Sequence, residues 1–159
     1  MIDGPYFVLT VLGALACAVT AGVFVAFSAF VMKGLAALPP ERGISAMQAI
    51  NIAAVTPAFM LVFMGSAVLC AVLAVVTFVL WPEQGTVELL VGSALQLVGS
   101  FGVTVVANVP RNEALAKIDP AAPESAEVWR RYVSEWLVWN HIRGGASLAA
   151  AAAFILALT

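Results

Sequence analysis

Three stretches of this chain, residues 5–32, 57–81 and 87–109, each exceed the roughly 20 apolar residues that carry a helix across a bilayer's hydrocarbon core. No acidic residue falls in the middle of any of them. The composition agrees, with 63% hydrophobic and 10% charged residues, against roughly 25% charged in an average soluble domain. The chain therefore reads as an integral membrane protein of the all-α class.

A fourth apolar stretch, residues 144–159, is slightly short. A full crossing of about 20 residues must draw roughly four more from upstream, as far back as Asn140. That places Asn140, His141 and Arg143 inside the hydrocarbon or at its rim. The first stretch is expected to be a mature helix and not a cleaved leader, because only Asp3 precedes it where a secretory signal needs basic residues. A single four-helix transmembrane domain then accounts for residues 1–159.

Charge fixes the expected orientation. Lys33 and Arg42 lie in or beside the first loop, and Arg111, Lys117, Arg130, Arg131 and Arg143 in or beside the third. All the basic residues fall on one side, which the positive-inside rule makes cytoplasmic, leaving both termini outside. The expectation is a multi-pass protein of the cytoplasmic membrane, N-out and C-out. No basic cluster is dense enough for nucleic acid.

The two cytoplasmic loops carry structure of their own. Residues 44–55 put Met47, Ile50 and Ala54 on one helical face and Gln48 and Asn51 on another, which predicts a short helix lying at the interface. Pro110 removes a backbone donor and is expected to end or kink the third span. After Pro120 and Pro123 a helix is expected near Ser125, running on as a cytoplasmic extension of the fourth span.

Polar residues within the spans are few and ordered. Ser93, Gln96, Ser100, Thr104 and Asn108 recur at spacings of three and four, one stripe that must face protein and not lipid. In the fourth span, at about 100° per residue, Trp129, Tyr132, Trp136, Asn140, Arg143 and Ser147 share one face, while His141 and Gly145 fall nearly opposite. Either His141 faces the interior, or Asn140 and Arg143 do and His141 meets a neighbouring element. Arg143 also stands four residues from Trp139, within reach of a cation-π contact. Cys17 and Cys70 form no CxxC pair and read as small packing residues. Gly99 to Gly102 and the alanines of the fourth span suit helix packing within one subunit or in a homo-oligomer equally.

What is missing narrows the function. One histidine cannot give bis-His ligation to haem, and no His, Asp, Glu or Cys cluster has metal-ligand spacing. The spans lack the buried carboxylates of a proton-coupled exporter. What remains is a cytoplasmic-side pocket of amides, aromatics, one imidazole and one guanidinium, suited to a flat, apolar, weakly acidic ligand.

Several segments together resemble the anthrone oxygenase-like family of small four-helix membrane proteins. They are Phe30-Val-Met32-Lys-Gly34-Leu35, Leu38-Pro39, Met47-Gln48-Ala-Ile-Asn51, Val109-Pro110-Arg-Asn112-Glu-Ala-Leu115, and the stretch from Trp129 to Arg143 with Trp136 and Trp139-Asn140-His141-Ile-Arg143. The resemblance covers nearly the whole chain. It implies oxygenation of an anthrone to an anthraquinone.

That chemistry suits the residues present. An anthrone's CH2 group, set between two rings and opposite a ketone, loses a proton to give an anion that hands an electron directly to O2. The protein need supply only a base and donors for the enolate oxygen, with no metal or flavin cofactor required. In this scheme His141 takes the proton and Arg143 and Asn140 hold the oxyanion, with Asn108 or Asn112 assisting. Gln48, Asn51, Trp136 and Trp139 shape the pocket. Its partners are a lipophilic aromatic molecule, O2 and the bilayer. The alternative is a non-enzymatic membrane scaffold or lipophile carrier whose polar residues serve docking and packing.

Overall fold

The computed structural model describes residues 2–159 and is all helical, with no strand among them. Five helices follow one another: α1 (Gly4–Ala36), α2 (Pro40–Ala53), α3 (Pro57–Leu80), α4 (Thr86–Ala116) and α5 (Ser125–Leu156). Prolines stand in the first turn of α1, α2 and α3, where no intrahelical donor is needed and the fixed φ suits a helix. Three of the helices, α1, α3 and α4, are long and apolar enough to cross a membrane. The chain is a helical membrane protein. The fourth expected span overlaps the second half of α5, which ends at Leu156, in a continuous helix of 32 residues, about 48 Å long against roughly 30 Å of hydrocarbon.

The long helices pack in a ring, α1 on α5, α5 on α4, α4 on α3 and α3 back on α1. Small residues set the close approaches. A Cβ on Gly99 would stand 2.7 Å from the Ala146 side chain, so this glycine serves the α4–α5 contact within the chain. One on Gly43 would stand 2.8 Å from the Trp129 ring, which is how α2 lies flat on α5.

The interior has three levels. Near the termini, Cys17, Cys70, Leu73, Leu89, Ala150 and Phe154 form an apolar core. Here the Cys17 and Cys70 sulfurs meet at 3.6 Å. At the α2 end, Met32, Ile44, Met47, Leu115, Trp129, Tyr132 and Trp136 form a second core.

Between them lies a polar level built largely on the α4 stripe. Gln96 Nε2 donates to Ser66 Oγ at 2.8 Å, and Ser147 Oγ to Ser100 Oγ at 2.8 Å. Ser93, Gln96, Ser100 and Asn108 are buried, as a stripe facing protein requires. Two wide-turned π-type stretches, Leu95–Gly102 and Thr104–Asn108, interrupt α4. Four residues of ideal α-helix overshoot a full turn by about 40°. The i→i+5 turns slow that drift and hold the four-residue repeat on one face.

Two expectations need correction. Of the two outcomes expected at Pro110, the one to correct is that it ends α4: the helix continues to Ala116, with the wide-turned stretch Thr104–Asn108 immediately ahead of the proline. The π-type stretch closes at Asn108, so Pro110 occupies a first-turn position in the α-helical segment that follows, where its missing N–H costs nothing. Arg111 Nη1 also donates to the Ala107 carbonyl at 2.9 Å. Gln48, expected in the pocket, instead ties α2 to the end of α4, its Nε2 donating to the carbonyls of Leu115 at 2.9 Å and Ile118 at 3.0 Å. The Leu115 carbonyl also accepts from the Ile118 N–H at 3.1 Å, so the amide adds a second bond there and gives the Ile118 carbonyl, beyond the helix end, a donor. Gln48→Ala should lower stability by about 1–2 kcal/mol, read as a lower thermal midpoint, with ligand affinity nearly unchanged.

Candidate functional site

A cavity of about 510 Å³ opens between the polar level and the α2-end core. Its walls are apolar and aromatic: Phe24 and Phe27 from α1, Met47 and Ile50 from α2, Phe59 and Phe63 from α3, Val105 and Val109 from α4, and Trp136 from α5. Phe59 stacks on Phe63 and Phe63 on Phe101, with ring centroids 5.8 and 5.5 Å apart. A flat ligand of drug-like size fits such a space. The only charged residue on its walls, among the described residues, is Arg143.

Helical angle explains why Arg143 points in. It shares a face with Trp136, Asn140 and Ser147, all buried, and is itself only 7% exposed. Asn140 is the pivot. Its Nδ2 donates to the Phe24 carbonyl and to Ser28 Oγ, each at 2.8 Å, pinning α5 to α1 beside the π-type stretch Phe27–Val31. Its Oδ1 accepts from Arg143 Nε at 3.0 Å and Nη2 at 2.9 Å. Arg143 Nη1 donates to Thr104 Oγ1 at 3.2 Å. The guanidinium lies over the Phe24 ring at 4.0 Å and the Trp136 ring at 5.0 Å. Of its five N–H donors, one on each terminal nitrogen is left uncommitted by these bonds.

No carboxylate pairs with Arg143 among the described residues; the ion pairs are Arg111 with Glu135 and Arg130 with Glu127. A buried cation held only by neutral oxygens and ring faces is costly unless an anion completes it. Arg143 thus meets the aromatic slot as a cation that no carboxylate among the described residues neutralises.

Asn51 and Asn112 stand on the same walls. Asn51 Nδ2 is enclosed with no hydrogen-bond partner at ordinary distance, and the Asn51 side chain faces the Tyr132 phenol. Asn112 Oδ1 accepts from Tyr132 Oη and Trp136 Nε1, each at 2.9 Å, which fixes the Trp136 ring against the cavity. Burial pushes the Tyr132 phenol up from its ordinary range, so it stays a neutral donor in that bond.

The remaining expected residues lie elsewhere. His141 is exposed and, with Asn140, lines a separate open depression of about 280 Å³ between α5 and α1, alongside Val25, Ser28, Ala29, Gly144 and Gly145; neither residue stands on the wall of the large cavity. One residue of helix, about 100°, separates it from Asn140. Of the two arrangements left open by the sequence, the structure adopts the one with Asn140 and Arg143 inside. Asn108 is buried beside the cavity and not on its wall, its Nδ2 donating to the Trp136 carbonyl at 3.4 Å. Trp139 also lies outside, its ring 5.7 Å from the Arg111 guanidinium. The cation-π partners of Arg143 are therefore Phe24 and Trp136, because Trp139 stands on a different face of α5.

Residues missed by sequence reasoning are Thr104, absorbed into the packing stripe, and the four phenylalanines. The spacings of Phe24 from Phe27 and of Phe59 from Phe63 were the available signal, since both pairs fall at the α2 end of their helices.

Fold and site together define a helical membrane protein that encloses an aromatic cavity governed by one buried cation. Over residues 59–153 the chain matches the family model for anthrone oxygenase, and it belongs to that family. That region holds Phe59, Phe63, Thr104, Asn112, Trp136, Asn140 and Arg143. No curated protein and no solved structure matches the chain.

Proposed function

We propose that this protein is a membrane-embedded oxygenase that turns an anthrone-type polycycle into the corresponding quinone without a cofactor. The observation that carries this reading is Arg143, a buried guanidinium with uncommitted donors and no carboxylate partner among the described residues, facing an aromatic cavity. In the full arrangement the chain is one domain of four crossing helices. The fourth crossing is the second half of α5, α2 lies at the cytoplasmic interface, and both termini are outside.

The chemistry runs on substrate acidity and charge stabilisation. An anthrone loses a proton to give an anion whose charge rests on its single oxygen, and Arg143 holds that oxygen with its free N–H donors, assisted by Asn51. The stabilisation is strongest when the negative charge is fully formed, which is the condition for catalysis over mere binding. The anion gives one electron to O2, and the radical pair joins as a C–O bond at the former CH2 carbon. Protonation gives a hydroperoxide; loss of water from it leaves the new ketone. One anthrone and one O2 become one quinone and one water.

His141 is not retained as the base in this scheme. No imidazole or carboxylate lines the cavity among the described residues, so no side-chain base takes the proton: it passes to a water molecule, and the Arg143 charge makes the bound substrate the stronger acid. His141→Ala should keep O2 uptake within about twofold of the parent protein.

The test is O2 consumption by purified protein in lipid nanodiscs supplied with 1,8-dihydroxyanthrone, corrected for the protein-free rate. The expected result is one O2 used per quinone formed, faster with protein than without. Tight binding with no acceleration would instead favour a lipophile carrier, a reading to which the absence of a side-chain base on the described cavity walls gives weight.

A further inference from the structure

The cavity has an open side. α3 packs on α4 only as far as Gly102, and its first turns hardly touch Thr104–Asn108. Four cavity-lining residues surround the gap: Val55 where α2 hands over to α3, Met64 two turns into α3, and Val105 and Val109 on α4. All are apolar and well exposed, at 70%, 40%, 49% and 39%. Residue 64 lies about 10 Å along α3 from Pro57, so the gap reaches from the helix start into the depth that hydrocarbon occupies when α3 spans the bilayer. Charge and exposure are thus arranged in opposite senses, with the cation buried and only apolar, uncharged side chains at the rim.

From this we infer that the ligand enters sideways from the bilayer, through the gap between the first turns of α3 and the Thr104–Asn108 region of α4. The inference rests on the binding reading above and narrows the substrate class. The ligand is a lipophile already dissolved in the membrane, its acidic oxygen leading toward Arg143 and its apolar edge trailing in the rim among Met64, Val105 and Val109. A water-soluble, multiply charged conjugate finds no polar group at this rim to replace its hydration.

A removable plug tests the route without depending on a mutant's folding. Met64→Cys protein is prepared in nanodiscs of phosphatidylcholine and phosphatidylglycerol, then labelled with a bulky methanethiosulfonate reagent; Cys17 and Cys70 are fully buried and out of reach. Binding and release of 1,8-dihydroxyanthraquinone, an unreactive probe, are followed by quenching of tryptophan fluorescence in a stopped-flow instrument. Ile52, exposed and off the cavity wall, carries the same label through Ile52→Cys as control.

The expected result is that label at position 64 slows dissociation as well as association, by roughly tenfold, the signature of a raised barrier; faster dissociation would show that the label merely crowds the bound ligand, and would overturn the route. Reductant restores both rates, and label at position 52 changes neither. Unchanged rates with label at position 64, while the probe still binds, would overturn the lateral route and leave the cavity reading standing. Failure of the unlabelled protein to bind the probe would overturn the binding reading itself, and the lateral route with it.

Discussion

Replacing Arg143 by Met should lower the rate of O2-dependent turnover by about 10²–10³, the loss seen when one donor to a developing oxyanion is removed. The side chain commits three N–H donors to Asn140 and Thr104 and leaves two uncommitted, and among the described residues no other cation lines the walls. Met has similar length and lies comfortably against Phe24 and Trp136. It also removes a buried charge, which often leaves stability unchanged or improved. The opposing cost is the lost partner of Asn140 Oδ1, about 1–3 kcal/mol. Thermal stability should therefore change little while turnover collapses. Arg143→Lys should fall between the two, because an ammonium keeps the charge but cannot hold Asn140, Thr104 and a ligand in one plane. Turnover of Arg143→Met near the parent rate, measured on protein with an intact thermal transition, would remove Arg143 from the chemistry.

The contrast between Arg143 and His141 marks where sequence reading stops. Apolar run length located α1, α3 and α4, and the three-and-four spacing of Ser93, Gln96, Ser100 and Asn108 identified a buried face, because both depend on local periodicity alone. Helical angle separated Asn140 and Arg143 from His141 but could not say which set faces inward. That choice depends on the Phe24 carbonyl and Ser28, more than a hundred residues away in sequence, which bind the Asn140 amide. Gln48 carries the same lesson. Its amide reads as a pocket residue because nothing in α2 shows that the carbonyls of Leu115 and Ile118 at the end of α4 arrive beside it. That α4 runs on past Pro110 is hidden for a different reason: the π-type stretch ahead of it leaves no compositional trace. The approach of Cys17 to Cys70 was equally invisible, being a matter of how α1 and α3 cross.

Asn140→Leu should be the most destabilising single change at the site, at about 3 kcal/mol, since it breaks bonds at both ends of the side chain. On one end the Phe24 carbonyl and Ser28 lose their donor, and α1 loses its polar pin to α5. On the other, Arg143 Nε and Nη2 lose their shared acceptor, leaving a buried cation with Thr104 as its remaining hydrogen-bond acceptor; hydrogen bonds to charged groups are each worth about 1.5–3 kcal/mol. For a chain of this size that amounts to a fall in thermal midpoint of roughly 10 °C. Turnover should drop as well, because the guanidinium is no longer held in plane toward the cavity. The double variant Asn140→Leu, Arg143→Met separates the two ends. If orienting Arg143 is the main task of Asn140, the stranded charge vanishes with the arginine. The double variant should then be more stable than Asn140→Leu alone, a strong coupling between touching residues. Strictly additive losses in the thermal midpoint would show that Asn140 serves only the α1–α5 pin, and that other groups aim the cation.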